Sequence, residues 1–208
     1  MPLKKVVVVA DGSFPVHPVP LKYIREADVI VCCDGSADEI DNAGFVPDAI
    51  IGDMDSITSK IVNKYPGRIF MQEDQETNDL TKSVRWCKEK GYDEIVILGA
   101  TGKREDHTLG NISLLAEYAR FIKVRMVTDS GIFYPLLEPS DINSFNGQQV
   151  SIFSINSDTE ITSSGLRYPL TGRKLGNWWE ATLNESLGDS FHLSFSPGPL
   201  LVFMKFRD

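Results

Sequence analysis

Asp53 and Asp55 stand one residue apart in Gly52-Asp53-Met54-Asp55-Ser56, directly after the apolar run Ala49-Ile50-Ile51. An apolar run that ends in glycine and then acids reads as a buried strand opening into a polar loop at its C-terminal end. Neighbouring carboxylates repel, and in a half-buried loop neither ionises cheaply unless a cation compensates them. A divalent metal is the natural partner, although a solvated Asp-rich turn uses the same residue types. Similar stretches recur along the chain. Asp11-Gly12-Ser13 follows the run that ends at Ala10, and Asp34-Gly35-Ser36-Ala37 follows Val29 to Cys33. Glu73-Asp74-Gln75-Glu76-Thr77-Asn78-Asp79 opens a helix, where acids also serve as caps and dipole partners.

A second kind of chemistry is legible at Gly99-Ala100-Thr101-Gly102-Lys103-Arg104-Glu105-Asp106-His107, after the run Glu94 to Leu98. Glycines between a strand and a helix let backbone N–H groups approach phosphate oxygens. The pattern is not that of a P-loop, because the glycine-to-lysine run has the wrong spacing for GxxxxGK[ST] and Lys103 is followed by Arg104. Arg104 adds a fork able to grip phosphate. The histidines His17, His107 and His192 lack zinc spacing, and no serine sits in Gly-x-Ser-x-Gly, so oxygen ligands for magnesium fit better than zinc or serine chemistry. Asp11, Asp34, Asp53, Asp55, Asp74, Asp79 and Asp106 would then face one rim. With the phosphate turn, they describe metal-assisted phosphoryl transfer.

The elements that must position these residues alternate. Apolar runs at 4–10, 29–33, 48–52, 68–71, 94–98 and 124–128 read as strands. Helical stretches are expected near 20–26, 58–64, up to Lys90, and 106–119. Gly91 is placed to end the third helix. This alternation predicts an α/β fold with a doubly wound, mainly parallel, Rossmann-like sheet. Past Asp129 short alternating runs take over at 132–137, 149–155, 193–195 and 200–206. They predict a smaller all-β sandwich domain, with residues 1–138 forming the nucleotide-binding catalytic domain and 139–208 the second.

Composition narrows the partners. The formal charge of −8 on 208 residues argues against a nucleic-acid or anionic-membrane surface. No segment approaches the length needed to span a bilayer, and the opening apolar run is too short for a signal peptide. Cys32, Cys33 and Cys87 form neither a disulfide framework nor a CxxC site, which points to the cytoplasm.

Taken in order, Asp11-Gly12, Cys33-Asp34-Gly35-Ser36-Ala37, Gly52 to Ser56, Asp74 to Asp79, and Gly99 to His107 with Asn111 one turn later resemble the motifs of the thiamine pyrophosphokinases. The C-terminal part matches in outline through Gly165-Leu166-Arg167-Tyr168-Pro169-Leu170. The resemblance implies magnesium-dependent transfer of pyrophosphate from ATP to the hydroxyl of thiamine, giving AMP, by a homodimer with thiamine sites between subunits. By motif, Asp53, Asp55, Asp74 and Asp79 would hold magnesium and the ATP phosphates. Asp34, Gly35, Gln75, Thr101, Gly102, Arg104 and Asp106 would serve ATP, and His107 and Asn111 would shape the site. Asp55, Asp79 and Asp106 would be catalytic, with Asp79 or Asp106 accepting the hydroxyl proton. Ser36 replaces a glycine of the family pattern, Glu76 an Asp and Asn78 a Thr, while Leu183 stands in the family's Ser-Asn-Glu. Trp178 and Trp179, just before it, offer a ring to stack on thiamine. A nucleotide or thiamine sensor without turnover, and a metal-dependent phosphohydrolase, are the other readings these residues allow.

Overall fold

The computed structural model describes residues 4–74 and 76–207, which fall into two compact units. The first holds residues up to Ile112 together with 121–129; the second holds 113–120 and everything from Ser130.

In the first unit, strands β1 (Val6–Val9), β2 (Val29–Cys33), β3 (Ala49–Gly52), β4 (Ile69–Met71), β5 (Glu94–Leu98) and β6 (Lys123–Val127) form parallel pairs in the order β4-β3-β2-β1-β5-β6. Their near-continuous Val, Ile and Cys content is that of strands buried on both faces, and β1, β2 and β3 are buried throughout. Helices α1 (Pro18–Arg25), α2 (Ser36–Asn42), α3 (Ser59–Lys64), α4 (Asp79–Glu89) and α5 (Glu105–Tyr118) connect them. Asn78 caps α4, its Oδ1 accepting from Thr81 N at 2.9 Å, and Gly91 follows the helix at φ 79°. Among the described residues no helix is long and apolar enough to cross a membrane.

The second unit is antiparallel. Strands β7 (Gly131–Leu136), β9 (Gln149–Ser154), β12 (Asn184–Glu185) and β14 (Leu200–Lys205) pair in the order β12-β9-β14-β7. Strands β8 (Ser140–Asn143), β10 (Glu160–Ser164), β11 (Arg173–Lys174) and β13 (Ser190–Ser196) pair as β11-β10-β13-β8. Val150, Ile152, Ile161, Phe191, Leu193, Leu200 and Val202 share one core. Strand β7 precedes the division read at residue 138, and β8, β10, β11 and β12 have no apolar run to announce them. In β10 only Ile161 is apolar; Ser163 takes the other inward position, its Oγ accepting from Leu170 N at 2.8 Å. The chain is mixed α/β, with parallel strands and helices followed by antiparallel strands.

Candidate active site

Strand order reverses between β1 and β5. At such a reversal the connections leave in opposite directions and open a crevice at the C-terminal strand ends. Here the loop after β1 is stitched to the glycine-rich loop after β5, with Gly12 N donating to Gly99 O at 2.6 Å and Ser13 N to Thr101 O at 2.8 Å. A Cβ on Gly12 would lie 2.4 Å from Gly99 O, so only glycine permits this approach. Asn111, one turn into α5, braces the same loop by donating from Nδ2 to Ala100 O at 2.9 Å. Thr108 Oγ1 accepts from Gly102 N. The resulting cleft of about 380 Å³ is lined by Asp11, Asp79, Thr101, Arg104, His107 and Asn111 among others.

The acids separate into distinct environments. Ligand oxygens of Asp34, Asp53 and Asp55 lie within 4.8 Å of one another. Met54 between them adopts φ 71°, and Asp55 N donates back to Asp53 Oδ1 at 3.3 Å, which folds the two acids into one turn. Asp34 is 1 % exposed; its Oδ2 accepts from Ser56 N at 3.1 Å, while its buried Oδ1 has no partner among the described residues. Burial raises the Asp34 pKa, and Asp79, Asp55 and Asp53 add to the rise against the Ser56 hydrogen bond. A buried carboxylate oxygen without a donor, beside two further carboxylates, is suited to a cation. The donor set is all oxygen, as hard divalent cations require. Gly52 makes room for this group, since a Cβ there would lie 2.7 Å from Asp34 Cβ and 3.2 Å from Asp79 Cγ.

Asp79 opens α4 beside this group and lines the cleft. Its Oδ1 lies 3.0 Å from Nζ of Lys82, a lysine whose side chain is only 3 % exposed. Asp74 is exposed and accepts from Thr77 Oγ1 at 2.6 Å and Glu76 N at 2.9 Å, bonds that lower its pKa. Asp106 is bound by the Arg104 fork, Nε at 3.1 Å, and by His107 N; with Arg104 the first cause, its pKa falls to about 2. The cation-competent group thus joins Asp53 and Asp55 to Asp34, a residue the motifs assign to the nucleotide, and Asp74 lies outside it. Gly35 begins α2 with Asp11 against it, and Gln75 lies outside the described residues. Ser36 is fully buried, its Oγ donating to Val9 O and Cys33 O, so it ties two strand ends together. Lys82 escapes a reading of the sequence because a lysine ordinarily reads as solvated surface. The only local signal is the Asp79–Lys82 spacing on one helix.

In the second unit Leu183 has φ 57° and is 75 % exposed, an unfavourable conformation for a branched side chain. Asn184, 3 % exposed, holds the main chain of Tyr168, accepting from its N at 3.0 Å and donating to its O at 2.7 Å. Glu185 pairs with Arg167 at 2.9 Å.

Two family models match the chain: "Thiamin pyrophosphokinase, catalytic domain" over residues 21–128 and "Thiamin pyrophosphokinase, substrate-binding domain" over 131–203. A thiamine pyrophosphokinase of Bacillus subtilis is 30% identical over 177 residues, covering 81% of this chain and 82% of its own. Thiamine pyrophosphokinase 1 of Oryza sativa subsp. japonica is 31% identical over 194 residues, covering 79% and 73%. The crystal structure of the Bacillus subtilis thiamine pyrophosphokinase superposes with a TM-score of 0.82 at 28% identity, over 98% of this chain and 99% of that one.

Proposed function

The chain belongs to the thiamin pyrophosphokinase family, and we infer that it is an enzyme transferring pyrophosphate from ATP to the hydroxyl of thiamine, with release of AMP. The observation that carries this reading in the site itself is the buried Oδ1 of Asp34, without a partner among the described residues and gathered with Asp53 and Asp55 on the rim that also bears the glycine-rich loop.

Asp34, Asp53 and Asp55 would hold magnesium, and the motif adds Asp74 and Asp79 to the acids around it. Bound there, the ion would neutralise charge on the phosphate oxygens. Thr101 and Arg104 line the cleft and, with Gly102, would form its nucleotide side, with Asp106 orienting the Arg104 fork and Asn111 bracing the loop. Asp79 is the better acceptor for the hydroxyl proton. One of its oxygens is held by Lys82 and it faces the cleft, whereas both Asp106 oxygens are taken by Arg104. In transfer of this kind the protein's share is chiefly positioning and charge compensation.

The βα order supports a doubly wound first unit. Right-handed crossovers running from β1 to β4 and then back through β5 to β6 put α4 and α5 on the face opposite α1 to α3. The shared core of the two antiparallel sheets supports a sandwich in the second unit. We further propose a homodimer with thiamine held between subunits. Tyr168, Trp178, Trp179 and Leu183, all exposed, are the apolar surface a second copy would cover. Cytoplasmic residence is supported by three buried, unbridged cysteines.

The test is incubation with ATP, MgCl2 and thiamine, following AMP and thiamine diphosphate by chromatography, with thiamine-free and EDTA controls. Thiamine-dependent formation of both products, lost in EDTA, is the expected result. Phosphate release without thiamine would instead indicate a hydrolase, and ATP binding without turnover a sensor.

A further inference from the structure

Lys103 lines the cleft and has no part in the site described above. It fills a position that the motif Gly-x-x-Gly-x-Arg leaves open. Its Nζ lies 2.8 Å from Asp11 Oδ1 and 3.4 Å from Glu39 Oε1. Asp11 follows β1 and Glu39 is on α2, so one ammonium joins three segments of the rim. Glu39 Oε2 is buried without a partner among the described residues, which leaves Lys103 as the cation compensating that carboxylate. Burial pulls the Lys103 pKa down, but Asp11 and Glu39 outweigh it and the net shift is upward. The ammonium is therefore charged and fixed before any ligand arrives.

A lysine ammonium has three donors. Asp11 and Glu39 account for two, and the third has no acceptor among the described residues. A preset ammonium with a donor to spare, beside the backbone amides of a glycine-rich turn, is matched by an anionic oxygen. We propose that Lys103 is a nucleotide-binding residue whose ammonium, held by Asp11 and Glu39, takes an oxygen of the ATP triphosphate. The assignment rests on the kinase reading and adds to it a phosphate contact outside the motif residues.

The experiment measures binding of ATP and of inorganic tripolyphosphate by calorimetry for the wild-type chain, Lys103→Gln and Lys103→Arg. Acetylation of Lys103 with and without tripolyphosphate is followed in parallel by mass spectrometry. Loss of one charge-assisted hydrogen bond predicts roughly tenfold weaker binding of both probes by Lys103→Gln, with most of the affinity kept in Lys103→Arg. Tripolyphosphate should protect Lys103 from acetylation and leave Lys4 as reactive as before. A strap that merely holds the loop would show no such protection. Undiminished affinity in Lys103→Gln, equal losses in both variants, or unprotected Lys103 would each overturn the assignment. Because Lys103 is nearly half exposed on a loop, its replacement does not endanger the core. If the wild-type chain binds neither probe, the kinase reading falls as well; if it binds both and turns over, only the Lys103 assignment is at stake.

Discussion

Asp34 illustrates a group held at a cost that a bound cation would relieve. Its pKa is raised from the usual 3.8, first by burial and then by the neighbouring acids. For a carboxyl raised in the folded state the penalty is absent below the unfolded value and complete above the folded one, so stability falls as pH rises between them. In EDTA at pH 7, Asp34→Asn should therefore melt higher than the wild type, with the gap closing as pH approaches 4. If Asp34 holds magnesium as proposed, the same variant should lose the stabilisation that the ion would confer, a trade of function for stability. Thermal unfolding over pH 4 to 8, with and without magnesium, checks both parts. Asp55→Asn should abolish turnover and leave circular dichroism unchanged; near-normal turnover would remove Asp55 from the site. Gly52→Ala should act through geometry alone. Its Cβ would meet Asp34 and Asp79, so magnesium binding should weaken at least tenfold, read by calorimetry.

At the level of elements, α4 delivers Asp79 and its register depends on the cap. Asn78→Ala removes the acceptor for Thr81 N and should cost about 1 kcal/mol in denaturant unfolding. A slack first turn should also lower turnover, since Asp79 is the next residue. The glycine-rich loop is held from α5 by Asn111. Asn111→Ala frees Ala100 O and should raise the KM for ATP several-fold with a smaller change in kcat; the reverse pattern would show that Asn111 acts on the chemical step rather than on nucleotide placement. Ser36 behaves otherwise than its place in the motif suggests, because both acceptors of its hydroxyl are main-chain carbonyls. Its one proton is shared between them, and its complete burial keeps it from a nucleotide.

For the molecule as a whole, a ligand that binds only the folded chain raises its melting temperature. Magnesium with a nonhydrolysable ATP analogue, at about a hundred times the dissociation constant, should add roughly 2.7 kcal/mol to stability. The gain should vanish in EDTA. Light scattering across concentration tests the dimer. Association that persists in Trp179→Ser combined with Leu183→Ser would place the contact elsewhere than on this exposed apolar surface.

Much of this was legible along the chain because it depends on local order. Buried parallel strands read as unbroken Val and Ile runs, and acids directly after them must lie at one end of the sheet. The strand-to-acid rhythm thus placed Asp11, Asp34, Asp53, Asp55 and Asp106 at strand ends, and the spacing of glycines marked the tight turn after β5. Strands of the second unit such as Glu160–Ser164 were not legible, since a buried serine satisfied by a backbone partner looks polar in sequence and apolar in function. Which acids come close enough to share a cation, which are bound to Arg104 or Lys82, and where Lys103 rests were decided only by tertiary structure. Charges interact through space over a few ångströms, and Asp34 meets Asp53 and Asp55 only because β2 and β3 lie side by side.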